Sequence, residues 1–137
     1  MGSIDGKDVM RPYTPIECRP DSSEFDCIIK IYPDGVFTQY LNALEITAAV
    51  TIRGVFSDLL FVAGKNQLQI PGFSTDLRVR NIGMVAGGTG IAPCYQIIKA
   101  ALANPKDSTK ICLIYSNSTE EDILLKDELE ALTKAHS

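Results

Sequence analysis

At 137 residues, 45% hydrophobic and 22% charged, the chain can bury a real core, and no apolar run reaches the roughly 18–20 residues of a membrane span. A formal net charge of −4 excludes the basic profile of a nucleic-acid-binding domain, and the single histidine, His136, excludes histidine-based triads and multi-histidine metal sites. The four cysteines contain no C-x-x-C spacing, so neither a zinc site nor a redox dithiol is expected; they are read as reduced thiols, with Cys94 and Cys112 in the core.

The chain opens with a hairpin signal, Asp5-Gly6, leading into a strand through Lys7 and Met10. Arg11-Pro12-Tyr13-Thr14-Pro15-Ile16 follows, and its two prolines imply an edge or irregular strand, since proline donates nothing to a ladder. Residues 25–32 (FDCIIKIY) are the clearest β segment, with Lys30 among apolar neighbours. Pro33-Asp34-Gly35 is a turn. Residues 36–44 then read as a short helix with Phe37, Leu41 and Leu44 on one side. Residues 49–54, 59–62 and 68–70 are strand-like, and 71–78 is a polar connector and the expected domain boundary. This divides the chain into residues 1–78 and 79–137.

The second half is organised around residues 81–99, NIGMVAGGTGIAPCYQIIK. An apolar run from Ile82 to Ala86 meets the glycines Gly87, Gly88 and Gly90, after which Ile91, Tyr95, Ile98 and Leu102 fall on one helical face. Pro93 stands in the first helical turn, where a missing N–H is harmless. A strand, a tight turn and a helix N-terminus make a natural phosphate seat. The turn lacks the lysine of a P-loop, and Pro93 occupies the place of the third glycine in the dinucleotide fingerprint. From these residues alone a purely structural βα turn remains an equal reading. A loop over 104–109, a strand over 110–116 (KICLIYS) and a helix carrying Leu125, Leu129 and Leu132 complete a βαβα pattern, with Thr119-Glu120-Glu121-Asp122 expected to cap the last helix. The fold class is therefore β followed by α/β: a partial antiparallel barrel, then a partial parallel nucleotide domain.

Taken in order, Arg11-Pro12-Tyr13-Thr14, Ile28-Ile29-Lys30-Ile31-Tyr32, Gly35-Val36-Phe37-Thr38-Gln39-Tyr40-Leu41, Gly87-Gly88-Thr89-Gly90-Ile91-Ala92-Pro93 and the segment 115–125 (YSNSTEEDILL) resemble the NADH-cytochrome b5 reductase branch of the ferredoxin-NADP reductase superfamily. The resemblance runs from about Asp5 to the C-terminus, with residues 45–80 matching poorly. It implies an FAD-binding barrel followed by a nicotinamide-nucleotide domain, with FAD and NADH as cofactors. Arg11 would pair with the flavin pyrophosphate, Pro12 belongs to the same motif, Tyr13 would lie against the isoalloxazine and Thr14 near its reactive edge. Ile28 and Lys30 would sit beside the cofactor, with Lys30 also near the incoming nucleotide. Val36, Phe37 and Thr38 would turn backbone N–H groups to the FAD phosphates. Gly87, Gly88, Thr89, Gly90, Ala92 and Pro93 would receive NADH, with Ala92 bordering the flavin.

The implied activity is hydride transfer from NADH to FAD, then electron transfer to a haem-protein acceptor such as cytochrome b5. Stacked rings rather than a protein acid, base or nucleophile perform such a step, so no catalytic side chain and no metal ligand is assigned. The implied location is cytoplasmic, or at a membrane through a partner or a segment outside this chain. The family has Lys or Arg at the place of Val36, and Thr or Ser at that of Ala92. Its first barrel strands and its Cys-Gly-Pro-Pro motif have no counterpart here. Two alternatives therefore stand beside the enzyme: a non-catalytic nucleotide-binding fragment, and a half-enzyme completed by another chain.

Overall fold

Turn chemistry at Gly6 (φ +72°) folds β1 (Gly2–Ile4) back antiparallel on β2 (Lys7–Val9), pairing Ile4 with Lys7 as the hairpin signal predicts. The structure, a computed structural model, describes residues 2–4, 6–18, 21, 23–54, 56, 59–72 and 76–136; Asp5 of the expected turn lies outside them. Residues 11–15 form no ladder, in keeping with their prolines. β3 (Glu17–Cys18) and β4 (Phe25–Asp26) make a short antiparallel pair. The expected strand over 25–32 is thus realised only at its first two residues. A strand exists through its neighbour, and no described strand runs beside residues 27–32.

After a turn at Pro33 and Asp34, α1 (Val36–Asn42) begins, with Phe37 buried. The hairpin sits directly on α1: a Cβ at Gly2 would lie 2.5 Å from the Tyr40 ring. Residues 49–54, expected as a strand, take no strand conformation and leave Val50 and Ile52 exposed. β5 (Leu60–Val62), β6 (Gln67–Gln69) and β7 (Leu77–Arg78) form an antiparallel sheet. The segment read as a connector therefore ends in a strand, because β6 offers Leu77 and Arg78 a free edge; residues 73–75 lie outside the described residues.

The α/β half follows the sequence pattern closely. β8 (Asn81–Gly87) runs through a 3₁₀ turn (Gly88–Gly90) into α2 (Ile91–Leu102), and β9 (Lys110–Ser116) returns parallel to β8 with Asn81 opposite Lys110 and Gly87 opposite Ser116. Met84 and Ala86 of β8 are buried with Ile91, Ala92, Tyr95, Ile98 and Ala101 of α2, so the core lies between this strand and this helix. The opposite sheet face is bare, with Val85 80% and Ile114 63% exposed. Cys112 points to that face and is exposed, which corrects its assignment to the core: on an alternating strand its neighbours Ile111 and Leu113 take the inward positions. Cys94 is half-buried, and all four cysteines are free thiols.

The last helix, α3 (Lys126–His136), starts later than the capping pattern implies. Leu125, in a left-handed conformation (φ 59°), accepts the first backbone bond from Leu129 instead. Thr119 to Asp122 thus belong to the preceding turn rather than to a cap. Two carboxylates there have other uses: Glu120 pairs with Lys126, and Asp122 with Lys30 far back in the chain.

Candidate cofactor cleft

One open cleft of about 410 Å³ lies where the two halves meet, within the usual size of ligand pockets. Its walls carry Arg11, Pro12, Tyr13 and Lys30 from the extended stretches, Val36, Phe37 and Thr38 from α1, and Thr89 from the glycine turn. Eight of the residues expected from the sequence thus converge. Thr14 and Ile28 are half-buried and do not line the cleft, Ala92 is buried, Pro93 is exposed in the first turn of α2, and Gly87, Gly88 and Gly90 adjoin Thr89 without lining the cleft.

The aromatic wall is built by stacking. Tyr13 lies against Phe37 with ring centroids 6.2 Å apart and planes 22° apart, and Phe37 in turn meets Tyr40 at 5.9 Å. The buried Phe37 therefore acts as the backing that holds an exposed Tyr13 ring in place. Burial pushes the Tyr13 hydroxyl above its ordinary pKa, with Arg11 pulling the other way and Tyr32 adding to the rise, so the phenol stays protonated at neutral pH. Arg11 is exposed and donates from Nη1 to the Met10 carbonyl at 2.9 Å, an anchor at its base that leaves further guanidinium donors.

The α1 turn is the most tightly determined part. The Thr38 hydroxyl donates to the Gly35 carbonyl (3.0 Å) and accepts from the Tyr32 N–H (3.2 Å), while Gln39 donates from its side chain to the Tyr32 carbonyl (2.8 Å). With its hydroxyl committed to the turn, what Thr38 and its neighbours offer the cleft is backbone N–H: the first helical N–H groups have no partner within the helix. Gly35 cannot carry a side chain here, since a Cβ would lie 2.2 Å from Thr38 Oγ1 and 3.0 Å from Tyr32 Cβ. Gly35→Ala is accordingly expected to lower stability by about 1–3 kcal/mol through overpacking, read as a lower urea midpoint with an unchanged slope.

Lys30 reaches from the cleft floor to Asp122, an ion pair between partly exposed side chains, and its ammonium lies 5.6 Å from the Tyr32 ring centre. The hydrogen bond to Asp122 holds the Lys30 pKa above its ordinary value, and the same bond holds Asp122 below its own. The signs fix a pH window. The Asp122 contribution is present above the unfolded carboxyl pKa and is lost as pH falls through the lowered folded value. The Lys30 contribution is present below the unfolded lysine pKa and is lost as pH rises through the raised folded value. The stability difference between the native chain and Asp122→Asn is therefore expected to be flat through neutral pH and to shrink at both acid and alkaline extremes, measured by urea titration at each pH.

On the nucleotide side, Gly88 takes a left-handed conformation (φ +51°), and the Tyr115 hydroxyl donates to its carbonyl at 2.9 Å. A Cβ on Gly87, Gly88 or Gly90 would meet nothing within 4 Å. Packing inside the chain thus does not demand these glycines beyond the one positive φ, and they leave open space beside a helix N-terminus. Asn117, just past β9, has both side-chain amide atoms buried without a hydrogen-bond partner, the situation of a polar group awaiting one. Tyr32, Asp34 and Gly35 also line the cleft and Asp122 engages it through Lys30, and none of the four was assigned to the site from the sequence. Tyr32 alternates with Lys30 and Ile28 on one extended stretch, and that period was the available signal. Nothing local marks Asp122 as the partner of a lysine 92 positions away.

A planar aromatic wall, a guanidinium, a turn presenting N–H groups and a glycine loop with room beside it suit a flavin with its pyrophosphate and a second nucleotide. Among the described residues no group of three or more potential metal ligands occurs. Comparison with known proteins agrees in class. Residues 1–60 match the family described as "Oxidoreductase FAD-binding domain" and residues 84–137 the "Oxidoreductase NAD-binding domain", so the chain joins a flavin-domain match to a nicotinamide-domain match. It is 45% identical over 134 residues to NADH-cytochrome b5 reductase 1 of Mycosarcoma maydis and 43% identical over 146 residues to that of Bos taurus, covering 98% and 97% of this chain. The cytochrome b5 reductase domain of Ulva prolifera nitrate reductase superposes with a TM-score of 0.84 at 40% identity, covering 93% of this chain and 51% of that one. Along nearly its whole length the chain is similar to members of the NADH-cytochrome b5 reductase family. It spans 37% and 48% of the length of those two curated relatives.

Proposed function

We propose that this chain carries the flavin-contacting and nicotinamide-contacting surfaces of an NADH-dependent flavin oxidoreductase that passes electrons to a haem protein such as cytochrome b5. The observation that carries the reading is a shared cleft in which Arg11, Tyr13, Lys30 and the α1 turn come together with Thr89 of the glycine turn. When bound, FAD supplies the two-electron acceptor chemistry that no side chain here provides. Tyr13, backed by Phe37, orients the flavin ring; Arg11 holds its pyrophosphate; the N–H groups of Val36, Phe37 and Thr38 complete the phosphate seat. Gly87, Gly88, Thr89 and Gly90 receive the nicotinamide nucleotide at the head of α2, with Ala92 and Pro93 shaping the entry. Thr14 and Ile28 support the wall without lining the cleft.

On this reading the flavin part ends at Arg78 and the nucleotide part begins at Val79, a boundary lying between the two matched families. No described helix is long and apolar enough to cross a membrane; the location proposed by family resemblance is the cytoplasm, or a membrane reached through a partner or a segment outside this chain. A second reading, a half-enzyme completed by another chain, is favoured by one observation: parallel sheets are covered on both faces, whereas Val85 and Ile114 stand bare. An absorbance spectrum of the purified chain tests both. Flavin bands bleached by NADH support the enzyme, and flavin bands only with a co-purified chain support the second reading. A colourless protein with no saturable NADH binding by calorimetry, both alone and with any co-purified chain, overturns the two together.

A further inference from the structure

The α/β half is tied to the rest of the chain at both ends of its sheet, and the two ties differ in chemistry. β8 and β9 stay in register for seven residues, so their ends are about 20 Å apart. At the N-terminal end, just before β9, the Asp107 carboxylate gathers donors from across the junction: the Gly64 N–H (2.7 Å) and the Asn66 side-chain amide (3.2 Å) from the β5–β6 turn, and the Thr109 N–H (2.9 Å) from its own loop. The Asn66 amide also donates to the Thr109 hydroxyl at 2.6 Å. The turn is shaped to enter this loop. Gly64 (φ +79°) and Asn66 (φ 52°) both adopt left-handed backbone, and a Cβ on Gly64 would lie 2.4 Å from the Asn104 amide nitrogen. Two backbone bonds, Val79 N–H to the Asn66 carbonyl and Lys110 N–H to the Arg80 carbonyl, lace the same place together. Partial burial by itself would raise the Asp107 pKa, but the bonds from Gly64 and Thr109 outweigh it and leave the carboxyl below its ordinary value.

At the C-terminal end, beyond Ser116, the tie is the Lys30–Asp122 ion pair beside the cleft. It joins two side chains that are 26% and 29% exposed, and among the described residues no backbone bond between the two segments accompanies it as bonds do at Asp107. Fixed hydrogen bonds to backbone amides respond little to salt, whereas a partly exposed ion pair is screened as the Debye length falls from about 10 Å at 0.1 M to about 3 Å at 1 M.

We infer that the junction is a two-ended clamp: Asp107 is its fixed end, and Lys30–Asp122 is a salt-sensitive latch that opens the cleft while the far end of the sheet stays closed. The inference stands on the apo chain and does not depend on flavin or nucleotide binding, so its failure leaves the proposed function untouched and the converse also holds. Hydrogen-exchange mass spectrometry of the full chain in 0.05 M and 1 M NaCl tests it. Peptides covering residues 27–32 and 119–125 are expected to exchange about 2–5-fold faster in high salt, while those covering 62–67 and 104–110 keep their rates. Lys30→Met should show the fast pattern already in low salt and lose the salt response. Asp107→Asn should do the reverse, speeding exchange at 62–67 by about tenfold while the latch keeps its salt response. Equal acceleration at both ends, no acceleration at 27–32, or a salt response that survives in Lys30→Met overturns the clamp. Should Asp107→Asn fail to fold, the salt series on the native chain and on Lys30→Met still decides the matter.

Discussion

Ile91→Ala is expected to cost about 2–5 kcal/mol, read as a large fall in the urea midpoint, because it removes a side chain that is 0% exposed. Its place explains the size of the effect. Ile91 is the first residue of α2, directly after the glycine turn, and it packs with Met84 and Ala86 in the layer between helix and strand. That layer contains most of the buried apolar residues described, and the far sheet face contributes none. Domains of this size have only about 5–15 kcal/mol in hand, so a cavity here takes a large share. Ile91→Val removes one methylene from the same place and should cost about 0.5–1.5 kcal/mol. The effect should also be local. Exchange at the amides of Gly88, Thr89 and Gly90 should quicken more than exchange at β1 and β2, since Ile91 fixes the angle at which the turn meets the helix. A uniform loss of protection across the chain would show that Ile91 supports the fold in general and not the turn in particular.

The elements that could be read from the sequence are those whose signals are local. β8, α2 and β9 each carry their own period, and turn glycines mark their joints, so KICLIYS becomes β9 residue for residue. The hairpin at Gly6 and the helix after Gly35 were legible for the same reason. Apart from the placement of Cys112, the misreadings are strands or caps whose fate depends on a partner. Residues 25–32 and 49–54 have strand composition, yet a ladder forms only where another strand lies alongside. Leu77 and Arg78 have connector composition and became β7 because β6 had an edge to give. Thr119 to Asp122 look like a cap, and long-range charge captured Asp122 instead.

The same division runs through the cleft. Its residue types were legible as motifs, and Arg11, Tyr13, Lys30, Val36, Phe37, Thr38 and Thr89 do meet. Their support was not. The capture of the Thr38 hydroxyl by Tyr32 and Gly35, the backing of Tyr13 by Phe37 and the bond from Tyr115 to Gly88 are contacts of placement. Residues 45–80, which carry none of the matched motifs, nonetheless align with relatives along with the rest, since those alignments cover 98% of the chain. They supply the Gly64 and Asn66 donors to Asp107, a structural reason for that stretch to keep its form.

Arg11→Ala is expected to weaken FAD binding about 10–100-fold on the proposed reading, while moving the urea midpoint hardly at all. The two halves of that expectation rest on separate observations. Arg11 is exposed and its recorded bond goes to the adjacent Met10 carbonyl, so its loss opens no cavity and orphans no buried group. Charge-assisted bonds to an anion, by contrast, contribute roughly 1.5–3 kcal/mol each way they are counted, and about 1.4 kcal/mol corresponds to tenfold in affinity. Val36 sharpens the dependence. It is 60% exposed on the cleft wall and brings no charge, leaving Arg11 as the cation expected to face the pyrophosphate while Lys30 is engaged by Asp122. Arg11→Lys keeps the charge and loses the planar fork, so it should recover part of the affinity but not all of it. Flavin fluorescence titration of the three proteins measures the series. Should alanine bind FAD as tightly as arginine, the pyrophosphate does not lie at Arg11, and the phosphate seat must be the backbone turn of Val36, Phe37 and Thr38 acting alone.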